Sequence, residues 1–118
     1  MTPATQRVIA FMAIRMSSEE LQGVSLREPS GSLAGFDVRE ITLSKIDFTD
    51  KDSGAYINES GSNGWFSSVR GSGIDDFDFQ FKGGQFIGII KETSEKFEGR
   101  VSGNEAVFSS PPGNYRLS

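Results

Sequence analysis

The chain's 118 residues suit one domain of ordinary size, and sixteen acidic against twelve basic residues give a net charge of −4. Neither cysteine nor histidine occurs, which excludes disulfides, Cys/His zinc sites, thiol nucleophiles, Ser-His-Asp triads and imidazole pH sensing. Ten phenylalanines carry most of the bulky apolar surface, while fourteen glycines and seventeen serines supply turn-forming residues.

The first apolar run, Val8 to Ile14, lies between Arg7 and Arg15. It is too short to cross a bilayer, and no small-residue cleavage site follows it as in a signal peptide. Its β-branched and aromatic content predicts a strand over Arg7–Met16, buried on both faces. Ser17-Ser18-Glu19-Glu20 has the form of a capping box, predicting a short helix near residues 17–22 that stops at Gly23. Val24 to Glu28 reads as a short strand ended by Pro29-Ser30-Gly31.

Between Asp37 and Phe48 the apolar parity switches, from Ile41 and Leu43 to Ile46 and Phe48. A strand bulged near Ser44-Lys45 would reconcile the two halves. Asp50 to Gly54 reads as a turn and Ala55 to Glu59 as a strand. Asn63-Gly64 is a strong hairpin signal ahead of a strand from Trp65 to Arg70. Phe77, Phe79 and Phe81 then alternate with polar residues, marking a strand with one wet face. Gly83-Gly84, Thr93-Ser94-Glu95, Gly103-Asn104 and Pro111-Pro112-Gly113 separate four further strands. The expected fold is mainly β: an antiparallel meander forming a small barrel or sandwich over residues 1–118, with one short helix.

Asp50-Lys51-Asp52-Ser53-Gly54 begins like a calcium-binding loop, but Ala55 replaces the glycine at position six and Gly61 the bidentate carboxylate at position twelve. A solvated turn explains it better, and no metal or other cofactor is expected. Asp75, Asp76 and Asp78 form an acidic cluster, with Asp76 and Asp78 about 7 Å apart on one strand face. No partner group accompanies them, so acid–base catalysis is not expected. The glycine-flanked serines lack a nucleophile elbow and a histidine base.

Trp65-Phe66, with Tyr56 nearby in sequence, is the one aromatic cluster suited to recognition. On a strand the two adjacent rings point to opposite faces, unless two packed sheets bury both.

Acidity is concentrated over residues 36–81, with nine acidic and four basic side chains, and no segment offers the basic stripe that nucleic acid requires. The expected function is a non-enzymatic, cytoplasmic protein-binding module that meets a protein partner, a basic one being compatible, through Tyr56, Trp65, Phe66, Asp75, Asp76 and Asp78. Neither nucleic acid nor a membrane is an expected partner. The small, mildly acidic, cysteine-free profile resembles that of immunity proteins and phage-encoded inhibitors. A barrel binding small apolar ligands or carbohydrate, and a phage or assembly subunit joined through strand edges, are the alternatives.

Overall fold

Seven consecutive apolar residues, Val8 to Ile14, leave no position for a wet face. In the computed structural model, which describes residues 1–118, they lie within helix α1 (Pro3–Ser17), and all seven are fully buried. Thr2 caps the helix in an extended conformation, its hydroxyl accepting from the Thr5 amide at 3.2 Å. Pro3 then occupies the first turn, where a missing N–H costs nothing. At the other end the Ser17 hydroxyl donates to the Ile14 carbonyl at 2.6 Å, and Ser18 leaves in an extended conformation.

Two expectations are corrected here. The strand over Arg7–Met16 is a helix, and of the helix expected near residues 17–22 only Ser17 is helical, as the last residue of α1, the rest being an exit turn. An element enclosed on every side shows no amphipathic period, so a short apolar run does not reveal its type.

Around α1 wrap ten antiparallel strands: β1 (Ser25–Arg27), β2 (Leu33–Ile41), β3 (Lys45–Asp50), β4 (Tyr56–Ser60), β5 (Trp65–Val69), β6 (Phe77–Lys82), β7 (Gln85–Ile90), β8 (Lys96–Ser102), β9 (Glu105–Ser110) and β10 (Pro112–Leu117). Sequential neighbours pair except β4 and β5, and β1 also pairs with β10. The meander is therefore a nearly closed barrel. Its seam lies between β4 and β5, which share no ladder; the isolated bridge Ser62↔Trp65 closes only the turn between them. Asn63 and Gly64, both at positive φ, make the tight turn that joins them.

The expected single bulged strand from Asp37 to Phe48 is instead the β2–β3 hairpin. Its parity switches because Thr42 folds the chain back: its hydroxyl accepts from the Ser44 and Lys45 amides at 3.2 and 3.0 Å. The ladder does shift register, but between Val38 and Glu40.

Phenylalanines line the barrel and pack on the helix. Phe11 stacks on Phe36 with ring centroids 3.8 Å apart and planes 3° from parallel. The repeated Phe-x-Gly of β7 (Phe86-Ile87-Gly88) and β8 (Phe97-Glu98-Gly99) has a direct structural use. Across the ladder Phe86 faces Gly99 and Gly88 faces Phe97, so each ring lies over the glycine of the other strand. A methyl group at Gly88 would collide with the Phe97 ring and the Asp78 carbonyl oxygen. The exchange lets the wall curve tightly enough to hold one helix.

Gly88→Ala is therefore expected to destabilise the barrel by about 1–3 kcal/mol or more, as overpacking does. Urea unfolding checks this through a lower midpoint; an unchanged midpoint would show that the ring does not need the glycine.

Candidate functional site

The two barrel mouths and the outer wall hold the predicted site residues, and they hold them apart. One mouth surrounds the start of α1, where the helix presents unpaired N–H groups and the positive end of its dipole. Asp75 accepts there from the Thr2 amide and the Thr5 hydroxyl, each at 2.9 Å, and its own amide donates to that hydroxyl at 2.8 Å. The Thr2 backbone bond, followed by the Thr5 hydroxyl and the nearby chain terminus, holds its carboxyl below the ordinary carboxylate range against a partial burial penalty.

One turn on, Arg7 is almost fully buried. It donates to Asp50 from Nη2 at 2.6 Å and from Nε at 3.2 Å, and to Glu28 from Nη1 at 2.9 Å. Burial lowers the Arg7 pKa, but the bonds to Asp50 and Glu28 outweigh it and leave it raised. Asp50 has no exposed surface and also accepts from the Ser53 hydroxyl at 2.8 Å, so the calcium-like turn has its first carboxylate turned inward. Gln6 completes the ring, accepting from the Tyr115 hydroxyl at 2.7 Å and donating to the Pro111 carbonyl at 3.1 Å. Burial, then the charge of Glu28, push the Tyr115 hydroxyl up to about 12, with Arg7 opposing.

Much of the acidity of residues 36–81 is thus committed internally. Asp75 holds the helix start and Asp50 neutralises Arg7, while Asp47 is bonded to Arg39 at 2.8 Å on the outer wall. Asp76 lies 3.9 Å from Arg70. Asp75, Asp76 and Asp78 point to three different sets of partners and form no shared acidic face. Phe66 is corrected as a contact residue, because its ring is fully buried in the core. Its neighbour Trp65 faces outward and is 47% exposed, as strand alternation requires. Tyr56 is also exposed, but it begins β4 at the far end from Trp65, with Arg39 4.9 Å from its ring centroid.

What the structure does gather is a groove of about 460 Å³ on the outer wall, lined by Trp65, Ile87 and Ile89 with Asp78, Lys96 and Glu98. Its geometry depends on an irregularity in β5. Register shifts between Phe66 and Val69, and Ser68 takes a φ of +54°. Asp78 accepts from the Ser68 amide at 2.8 Å, and the Lys91 ammonium donates to the Ser68 hydroxyl at 2.7 Å, so both pin the bulge.

Trp65 and Asp78 are the predicted residues that meet in this groove. Ile87, Ile89, Lys96 and Glu98 were missed, although a signal for the isoleucines existed. If Phe86, Gly88 and Ile90 face inward, strand alternation turns Ile87 and Ile89 outward. Comparison of the chain with protein families, curated proteins and solved structures finds no match. No helix is long and apolar enough to cross a membrane.

The lowered carboxyl of Asp75 sets a pH dependence. Its folded pKa lies below the unfolded one, so its contribution is complete above about pH 4 and is lost as pH falls through the folded value. Asp75→Asn should lower Tm at neutral pH and flatten the decline between about pH 5 and 2. Thermal melts of both proteins across that range check this, and parallel curves would contradict it.

Proposed function

We propose that the chain is a non-enzymatic protein-binding module, of the inhibitor or immunity-factor kind, that docks a partner on the outer wall of β5–β8. One observation carries the reading: Trp65 and Ile87 stand 47% and 50% exposed beside one groove. Large apolar side chains left half in water on a sheet face gain most by being covered, and tryptophan is enriched among the residues that dominate binding energies. The Ser67–Ser68 bulge fixes the β5 backbone next to Trp65, which reduces the ordering cost of association.

The rim narrows the partner's chemistry. Lys96 and Glu98 face solvent, and neither has an ion-pair partner within 4.0 Å. The fitting partner inserts an apolar side chain between Trp65 and Ile87 and flanks it with a basic group for Glu98 and an acidic one for Lys96. The acidic-face reading contracts accordingly, to Asp78 and Glu98 at the groove edge. The interior offers less to an apolar ligand, because α1 fills the barrel and its phenylalanines pack on one another.

Affinity capture from the source cells should be run side by side with wild type, Trp65→Ala, Ile87→Asp and the control Glu20→Lys, an exposed position past the end of α1 and outside the groove. Wild type and the control should retain the same protein, and each groove variant should weaken it by about tenfold or more, the scale of an interface hot spot. Circular dichroism confirms that the variants fold. Equal retention by all four proteins would overturn the reading, as would a Trp65 fluorescence response to oligosaccharides with no protein retained.

A further inference from the structure

The mouth at the C-terminal end of α1 contains a second groove, of about 560 Å³, within the size range of small-molecule sites. Arg15 lies in it, half-buried in the last turn of the helix. Its guanidinium donates one hydrogen bond, from Nη1 to the Gly23 carbonyl at 3.0 Å, and has the Phe11 ring centroid 5.7 Å beneath it. No carboxylate comes within ion-pairing reach of it, unlike Arg7, which has two. No buried side-chain nitrogen in the molecule lacks a partner, so the remaining Arg15 nitrogens are open to solvent, on a residue that lines the groove. Burial alone accounts for its lowered pKa, as expected for a cation taken partly out of water without a counter-charge.

Leu21, Val24, Val38 and Ile41 form the apolar part of its lining, with Val24 45% exposed and the other three packed partly against the core; Ser18, Gln22 and Thr42 are among its polar residues. Glu19 and Glu40 also line the groove and are exposed. Arg39, the other basic lining residue, is turned to Asp47 and Asp37.

We propose that this groove binds an aliphatic monocarboxylate, its carboxylate on the Arg15 guanidinium and its chain along Leu21, Val24, Val38 and Ile41. A planar guanidinium with free N–H groups matches a carboxylate in a bidentate fork. Glu19 and Glu40 oppose any anion in proportion to its charge, so a monocarboxylate is disfavoured least and phosphate and dicarboxylates more.

The test is a titration with octanoate, followed by amide chemical shifts in wild type, Arg15→Met and Val38→Glu. Methionine keeps an extended side chain over Phe11 and removes the charge; glutamate at 38 adds an anion to the same groove. Octanoate should shift residues 18–24 and 38–42 in wild type and bind at least tenfold more weakly to both variants. Octanol and acetate should each bind more weakly than octanoate, lacking the charge or the chain. Thermal melts of the variants establish that they fold. The proposal is overturned if octanoate binds Arg15→Met as it binds wild type, if shifts fall outside the groove, or if no binding occurs at millimolar ligand. It is also overturned if a peptide ending in a free leucine carboxylate binds while octanoate does not, which would assign the site to chain termini.

Discussion

Arg7 is the one basic side chain that the barrel takes inside, and its pairing with Asp50 and Glu28 fixes how the helix sits in its sleeve. A buried ion group of this kind contributes little net stability, since the desolvation of three charges offsets their attraction. Removing one member is another matter, because an uncompensated buried charge costs about 3–5 kcal/mol. The group therefore acts chiefly as a register pin. A fully apolar helix could slide or rotate inside an apolar barrel at small cost, whereas Arg7 reaches Asp50 and Glu28 in one pose. Asp75, in the loop before β6, on the Thr2 and Thr5 groups, and Tyr115 of β10 on Gln6, hold the same end.

That arrangement explains the distribution of charge and leaves the opposite mouth different in character. Acidic groups gather where α1 begins, matching the helix dipole and Arg7, and they face inward or toward nearby cations. At the far mouth Arg15 meets the helix's negative end and no carboxylate, and the surrounding loop and β2 leave a groove. The outer wall differs again. There the Phe-x-Gly exchange curves β7 and β8 around the helix, and the strand alternation that sends Phe86 and Gly88 inward sends Ile87 and Ile89 out. The exposed patch follows from the packing that closes the core.

Most of the sheet was legible in the sequence because its strands have two distinct faces. Phe77, Phe79 and Phe81 alternate with polar residues, and Gly83-Gly84 and Gly103-Asn104 mark hairpins that the structure contains, whereas Asn63-Gly64 makes a tight turn between the unpaired β4 and β5. The helix was not legible from its apolar pattern, since enclosure on all sides erases the period. The Thr2-Pro3 start, with Ala4, Ala10, Met12 and Ala13 inside, was the surviving helix signal, and it competed with Val8, Ile9 and Ile14. Trp65 outward and Phe66 inward followed from alternation. That Asp75 caps a helix 70 residues away did not, because nothing local marks a long-range capping contact.

The central claim is that α1 is the core of the barrel, not a plug seated in an independently stable shell. Native-state amide hydrogen exchange tests it most directly, by comparing Ile9–Ile14 with the β6 and β7 amides around Phe79 and Phe86. The account predicts that both sets exchange only through global unfolding, with the same opening free energy and the same denaturant dependence. Helix amides exchanging about 100-fold or more faster, while the strands stay protected, would contradict it.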